Sequence, residues 1–307
     1  MREAVQNIQA QVDPGGPIEL LFVDGRSTDE TRALLQAEAA QDVRIRIFDN
    51  PDRLTSAGLN IALNEARGEY VARMDAHTTY PTDYLLVGVS RLGRGDVASV
   101  SGPQIAEGRD PWSRRVALAL STRLGIGGAV FRRQITEEVE VPSGFTGVWR
   151  TDLVRQMGGW DVPAYPNEDA ELAARIRAAG GRIVCLPEMA ARYVPRNSIR
   201  SLSGQYWRYG RARARTVSRH PSALQVSHLL PPALVVVLAT VVLGRGRARK
   251  VSVAGIGVYG ASLAATAMAQ RARAAEEAPF IPVVLATMHL SWGAGFLVGA
   301  IRLARRG

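Results

Sequence analysis

Short apolar runs alternate with helix-compatible stretches along the first two thirds of this chain, and two of the runs stop at an acid. Residues 18–23 end at Asp24, and residues 70–74 end at Asp75. A further apolar run covers 43–48. Between them, Ser27 or Thr28 is positioned to cap a helix through about Ala40, with Asp29 and Glu30 in its first turn. Residues 56–66 read as a second helix, closed by Gly68. The pattern continues with a helix over 83–92, a strand over 97–102, a strand over 142–150 leading into a helix to 157, and a strand over 182–186. Residues 2–11 read as a helix broken by Pro14-Gly15-Gly16-Pro17. Strand–helix alternation predicts a mostly parallel, doubly wound α/β domain. In such sheets a ligand sits beyond the carboxyl ends of the strands, where Asp24 and Asp75 fall. Residues 107–140, with glycines from 125 to 128, read as a loop or mobile lid.

A third acidic site is Asn167-Glu168-Asp169-Ala170-Glu171. It lies between the aromatic turn Gly158-Gly159-Trp160-Asp161 and an amphipathic helix over 172–180. Acids at a helix start complement the positive end of its dipole, which by itself accounts for an isolated acidic cluster. The lone Cys185 excludes an intrachain disulfide and reads as a small core residue of its strand. Met1-Arg2-Glu3-Ala4 lacks the apolar core of a signal peptide.

From residue 198 the character changes. Arg200, Arg208, Arg211, Arg213, Arg215 and Arg219 share a helix-compatible stretch with Tyr206, Trp207 and Tyr209. Apolar segments follow at 229–243, 251–269 and 279–301, the last holding His289. The formal net charge of +10 is mostly arginine gathered beside these runs. That placement favours a membrane surface over nucleic acid, and zinc-finger spacing is absent. Three regions are expected: 1–200, an α/β domain; 201–225, a basic and aromatic interfacial segment; and 226–307, a membrane region with two to three spans. Arg245, Arg247, Arg249 and Lys250 between the first two apolar segments favour the cytoplasm, against a simple first span from a cytoplasmic domain.

These residues resemble inverting family 2 glycosyltransferases of the GT-A fold, nearest to the membrane glucosyltransferases of bacterial succinoglycan biosynthesis. The stretches that carry the likeness are Val23-Asp24-Gly25-Arg26-Ser27-Thr28-Asp29-Glu30-Thr31, Arg73-Met74-Asp75-Ala76-His77-Thr78, Asn167-Glu168-Asp169-Ala170-Glu171-Leu172 and Gln205-Tyr206-Trp207-Arg208-Tyr209. The resemblance implies a GT-A nucleotide-diphospho-sugar transferase domain, a mostly parallel mixed sheet flanked by helices, followed by C-terminal membrane helices. It implies that Asp24, Asp75, Arg53, Gln205, Arg208 and Tyr209 bind the donor. Asp75 and His77 would hold a divalent metal, Mn or Mg, and imidazole suits Mn somewhat better. Asp169 would be the general base, with Glu168 beside it. Tyr209 stands where processive relatives carry Trp, which weakens an expectation of processivity.

The expected activity is transfer of a sugar, glucose from UDP-glucose, to a lipid-linked or polysaccharide acceptor. The expected setting is the inner (plasma) membrane, multi-pass, with the catalytic domain cytoplasmic. Relatives begin with an apolar strand and loop that Met1 would fall beyond. Two alternatives therefore stand beside this reading: a polyprenyl-phosphate sugar synthase of the same fold, and a non-catalytic membrane scaffold or fragment.

Overall fold

The computed structural model describes residues 1–305. By their internal contacts they form two units: Met1–Ile105 with Arg133–Tyr193, and Ala106–Arg132 with Val194–Gly307.

In the first unit, α1 (Arg2–Gln9) buries Val5 against Leu20, Leu35 and Ile45. These belong to β1 (Leu20–Asp24), α2 (Thr31–Ala39) and β2 (Ile45–Asp49). β1 and β2 pair in parallel with Asp24 opposite Asp49, so the loops after both strands leave from one edge. α3 (Thr55–Glu65), β3 (Tyr70–Arg73), β4 (Thr78–Thr79), α4 (Tyr84–Leu92), β5 (Ser99–Gly102) and β6 (Gln104–Ala106) follow. After α5 and α6 (Pro111–Leu120 and Arg123–Ile126, in the second unit) the chain returns with β7 (Val139–Glu140), β8 (Phe145–Arg150), α7 (Thr151–Gln156), α8 (Glu168–Ala178), β9 (Ile183–Cys185) and β10 (Ala191–Tyr193) of this unit.

Three sheets result: β1-β2, β4-β10-β6, and a five-stranded sheet ordered β3-β8-β5-β9-β7. The sheets are mixed, with fewer parallel pairs than the strand–helix alternation suggests. β1–β2 and β5–β9 are parallel, whereas β8 runs antiparallel to both of its neighbours. The reason is topological: β8 is reached only after the chain has left the unit at residue 106 and come back at 133. Alternation rules describe simple crossovers and not such an excursion. The sheet's core is a cluster around Tyr84, Leu92, Val100, Val148, Val184 and Met189.

The aromatic turn before α8 is clamped from α3. Asn60 donates to the Trp160 carbonyl at 2.7 Å and accepts from the Trp160 N–H at 2.8 Å. Trp160 is buried and meets Trp149 edge-on at 5.8 Å between ring centroids. Gly159 adopts φ +73°, and a Cβ there would lie 2.5 Å from Asn60 Oδ1.

Two sequence expectations give way. α2 begins at Thr31 with Glu30 at its cap position, because Ser27 and its hydroxyl turn back onto Asp24 instead. Residues 107–140 are not a loop or lid throughout, since they contain α5 (Pro111–Leu120) and α6 (Arg123–Ile126) of the second unit. Asp110 caps α5, accepting from the N–H groups of Trp112 and Ser113, and Pro111 occupies its first turn. Glycine density and charge obscured two short helices whose caps are explicit in the sequence.

The second unit continues with α9 (Ile199–Arg219), α10 (Leu230–Leu243), α11 (Gly246–Gln270) and α12 (Ile281–Ala304). α9 and α12 approach until backbone touches backbone. A Cβ on Gly210 would fall 2.0 Å from the Trp292 carbonyl, and one on Gly295 would fall 2.3 Å from the Trp207 carbonyl. Ser203 and Ser291 hydroxyls bond across the same seam at 2.8 Å. Among the described residues three segments are long and apolar enough to cross a membrane: Val226–Leu243, Gly246–Gln270 and Ala278–Ala304. The first two are hardly covered by protein, and Val236, Val242, Leu243, Val251 and Val258 stand exposed on them.

The clamp yields a stability test. Asn60→Ala strands both polar backbone groups of Trp160, and Gly159→Ala adds strain and a clash. Each is expected to cost about 1–3 kcal/mol. Thermal melting of the detergent-solubilised chain checks this; a melting temperature equal to wild type in both variants would refute the clamp.

Candidate active site

The acids that the sequence spreads over almost a hundred positions converge on one arginine. Arg73 closes β3, and its side chain is 8% exposed. Its Nε donates to Asp75 Oδ1 at 2.8 Å, and Nη2 donates to Asp75 Oδ2 at 3.3 Å. Its Nη1 donates to Asp169 Oδ1 at 2.7 Å and to Glu168 Oε1 at 3.2 Å. An arginine buried at the end of a half-buried strand needs anionic partners, because an unpaired buried charge is very costly. Here the partners come from the turn after β3 and from the first turn of α8.

Three carboxylates facing one guanidinium carry a formal charge of −2 when all are ionised. Glu168 Oε2 is buried and has no hydrogen-bond partner among the described residues. Burial pushes the Asp169 carboxyl above the ordinary carboxylate range; Arg73 pulls it back, while Glu168 and Asp75 push it up again. Arg73 is held fully charged, since Asp169, Asp75 and Glu168 outweigh the burial that opposes its charge. A carboxylate with raised proton affinity, hydrogen-bonded and yet partly open at 19% side-chain exposure, suits a group that accepts a proton.

The third acid of the helix start plays another part. Glu171 binds Arg175 one turn on, with oxygen–nitrogen distances of 2.6 to 3.0 Å. Arg175 also donates to the Gly159 carbonyl at 2.8 Å and to that of Met157. Glu171 therefore ties α8 to the aromatic turn and so fixes where Glu168 and Asp169 point.

A buried hydroxyl chain backs the cluster. The Asp75 N–H donates to Tyr80 Oη at 2.8 Å, and Tyr80 packs edge-on against Tyr84 at 4.8 Å. The Tyr84 hydroxyl lies 3.2 Å from that of Thr146. Burial raises the phenols of Tyr80 and Tyr84, which stay protonated. His77, two residues beyond Asp75, is exposed.

Asp24 is buried at the end of β1. It accepts from the Ser27 hydroxyl at 2.6 Å and the Ser27 N–H at 3.2 Å, and lies 3.6 Å from Arg32, which also pairs closely with Asp49. The flanking loops carry two non-glycine residues in the left-handed region, Arg26 at φ +57° and Arg53 at φ +56°. A Cβ on Gly25 would sit 3.7 Å from Arg53 Cα, so the two loops adjoin. Such conformations persist only where the surroundings enforce them, and they cluster at functional sites. Both arginines are exposed at the carboxyl edge of the β1–β2 pair.

The structure thus brings together Asp75, Glu168 and Asp169, and separately Asp24 and Arg53. Gln205, Arg208 and Tyr209 lie on α9 in the second unit, where Gln205 donates to Tyr209 Oη at 3.0 Å. Burial raises the Tyr209 phenol. Sequence reasoning gave no role to Arg73, Arg26 or Tyr80. Arg73 had a visible signal: it is the one charged residue inside the run Tyr70-Val71-Ala72-Arg73-Met74.

Residues 1–157 match the family described as glycosyl transferase family 2. The chain belongs to that family. It is also 31% identical over 293 residues to the succinoglycan biosynthesis protein ExoA of Rhizobium meliloti (strain 1021), covering 94% of this chain and 87% of that protein. Its fold is similar to that of the mannosyltransferase PcManGT from Pyrobaculum calidifontis, solved in complex with GDP-Man and Mn2+. That match has a TM-score of 0.63 at 20% identity over 98% of this chain and 82% of that one. The chain is a glycosyltransferase of the GT-A fold, with mixed sheets, helices, and C-terminal helices apolar enough to span a membrane.

The charge balance of the cluster can be tested by stability alone. Asp169 has a folded-state pKa raised above its unfolded value, so at neutral pH its ionisation costs the fold stability. Asp169→Asn removes that cost and is expected to melt no lower than wild type. Arg73→Met leaves three carboxylates facing one another and is expected to lose about 3–5 kcal/mol. Melting curves at pH 7 check both; a larger loss in Asp169→Asn than in Arg73→Met would contradict the arrangement.

Proposed function

We propose that this glycosyltransferase is membrane-anchored and inverting, and that it moves a sugar from a nucleotide donor to a lipid-linked or polysaccharide acceptor in exopolysaccharide assembly. The observation that carries the mechanism is the Arg73 cluster, which holds Asp169 with a raised proton affinity beside Asp75. Inversion in one displacement needs a single base on the face opposite the leaving group. Asp169 fills that role by accepting the proton of the acceptor hydroxyl as the hydroxyl attacks the anomeric carbon. The bond to the diphosphate breaks as the new glycosidic bond forms, through a centre of oxocarbenium character. Arg73 keeps Asp169 ionised and oriented, and the ionised form is the active one.

Asp24 and Arg53 are assigned to the donor nucleotide. A carboxylate at this edge can accept from an imide N–H or a ribose hydroxyl, and the exposed Arg26 and Arg53 offer cationic donors to phosphate. UDP-glucose is the proposed donor. The relationship to a succinoglycan biosynthesis protein supports the exopolysaccharide setting.

A divalent cation fits the site in one respect: the formal −2 of the cluster and the orphaned Glu168 oxygen leave negative charge to be balanced. No three His, Cys, Asp or Glu side chains among the described residues are arranged to hold an ion by themselves. The fit is therefore to Mn or Mg held by Asp75 and His77 with the remaining ligands drawn from donor phosphates and water. When bound, the ion would neutralise charge on the departing nucleotide diphosphate. The Mn2+ and GDP-Man in the PcManGT complex support a divalent ion and a nucleotide sugar for this chain as well.

The apolar segments of the second unit supply the anchor, and the inner membrane with a cytoplasmic catalytic domain is the proposed setting, since nucleotide sugars are cytosolic.

Membranes bearing the chain, supplied with labelled UDP-, GDP- and dTDP-sugars and Mn2+ or EDTA, test the proposal. Metal-dependent transfer to lipid or polymer from one donor is expected; an absence of transfer from every donor would leave the scaffold reading. Asp169→Asn is expected to lower the rate by about 10²–10⁴-fold with donor binding retained. The rate should rise with pH as Asp169 deprotonates. Arg73→Lys keeps the charge and the limb's position, whereas losing the charge in Arg73→Met moves the limb to higher pH. A flat pH profile in wild type would remove Asp169 as the base.

A further inference from the structure

The start of α9 holds a charged cavity that the mechanism does not use. It measures about 360 Å3 and is lined by Arg196, Ser198, Arg200, Ser201, Gly204 and Arg208. Three guanidinium groups share it, and none of the three is paired with an acid among the described residues. Arg196, Arg200 and Arg208 are exposed, so water solvates their charge, whereas the buried Arg73 and Arg91 and the half-buried Arg175 each hold at least one carboxylate within 3.2 Å. Exposed like charges set side by side raise the local affinity for an anion, which can accept from more than one guanidinium.

The floor of the cavity is shaped for an occupant. Arg200, Gly204 and Arg208 follow one another at four-residue spacing, which stacks them on one face of α9. With glycine in the middle, the space between the two arginines stays open; a Cβ at 204 would already reach van der Waals distance of Arg208 Nη1, at 3.5 Å. A glycine inside a helix is otherwise unfavourable by about 1 kcal/mol. Ser198 caps the helix and accepts from the Ser201 N–H at 3.3 Å, so its first turn is held in register beside the cavity.

The cavity's position within its own unit indicates what kind of anion. α9 is zipped to α12 through Gly210, Gly295 and the Ser203–Ser291 bond, and α12 belongs to the segment Ala278–Ala304, which is long and apolar enough to cross a membrane. A phosphate group in the cavity is thus carried on a helix fixed along a candidate span. A volume of this size has room for a phosphate or diphosphate head group.

We propose that Arg196, Arg200 and Arg208 bind the phosphate group of a polyprenyl-phosphate-type lipid, the carrier end of a lipid-linked acceptor. The proposal deepens the glycosyltransferase reading above, and its test is direct binding, which requires no sugar transfer. A soluble phosphate or the donor diphosphate shares this chemistry, so the experiment separates the three sources.

The probe is a fluorescent short-chain polyprenyl phosphate in neutral detergent micelles with the full chain, alongside the uncharged polyprenol. Inorganic pyrophosphate and UDP serve as competitors. Saturable binding of the phosphate but not of the polyprenol is expected. Arg196→Gln with Arg200→Gln should weaken it by about tenfold or more, as for the loss of one to two charge-assisted hydrogen bonds. Gly204→Leu should weaken it similarly with every charge kept, and leucine's helix propensity protects the fold. Arg211→Gln, on the same helix but outside the cavity, should change binding less than twofold.

Competition by millimolar pyrophosphate, with UDP ineffective, supports the site as drawn. Equal loss in Arg211→Gln means diffuse attraction to a basic helix and overturns the proposal. Equal binding of polyprenol, or displacement by UDP alone, overturns it too, the latter by making the cavity a donor subsite. Sugar transfer measured in parallel keeps the outcomes apart: a chain that transfers sugar but does not bind the probe loses this proposal and keeps the proposed function.

Discussion

One guanidinium organises the catalytic unit. Arg73 sits buried at the end of β3, an edge strand of the five-stranded sheet, and its charge would be costly there without partners. Asp75, Glu168 and Asp169 answer it from two separate segments, so the charge requirement of one buried side chain sets the distance between the end of β3 and the start of α8. The remaining supports are directed to the same end. Arg175 and Glu171 lock α8 to the aromatic turn, Asn60 locks that turn to α3, and Tyr80 holds the Asp75 backbone. Polar contacts make these joints, and each replaces a hydration that burial has removed, so their worth lies more in what their loss would strand than in what they gain. The same surplus of negative over positive charge that makes the cluster expensive also makes it ready for a proton or a cation.

The second unit is built on a different principle. α9 carries many arginines and α12 almost none, yet they meet more closely than ordinary side chains permit, because Gly210 faces the backbone of α12 and Gly295 faces the backbone of α9. Close approach gives van der Waals contact and hydroxyl bonding without demanding hydrophobic transfer, which is the kind of adhesion that still operates in an apolar solvent. α10 and α11, in contrast, leave most of their apolar surface uncovered by protein.

Much of this was readable in the sequence. The acids Asp24, Asp75 and Asp169 stand out because strand ends and helix starts are visible from periodicity. The apolar C-terminal segments declare themselves by length. The antiparallel insertion of β8 was not legible, since nothing local records that the chain leaves through α5 and α6 before it returns. The cap of α2 was misplaced because Ser27 had two partners to choose from, and the buried Asp24 carboxylate prevailed over the helix N–H groups. The division of labour among Glu168, Asp169 and Glu171 is likewise invisible in one dimension: neighbours in sequence at a helix start point to different faces. Arg73 could have been found by asking what an apolar strand does with the charge at its end.

α10 has a consequence for the lipid around it. Its 14 residues rise about 21 Å, and the whole apolar segment from Val226 about 27 Å, whereas a bilayer's hydrocarbon core is about 30 Å thick. α11 has 25 residues but opens on Arg247, Arg249 and Lys250, so its apolar part from Val251 to Gln270 rises about 30 Å and equals that core. Set across a bilayer, such a hairpin would fit on the α11 side and fall short on the α10 side, where the lipids would have to thin at a cost of fractions of a kcal/mol per Å. The acyl-chain length of such a membrane would then act as a mechanical load on α10, and the composition of the lipid, as well as its head groups, would enter the energetics of the chain.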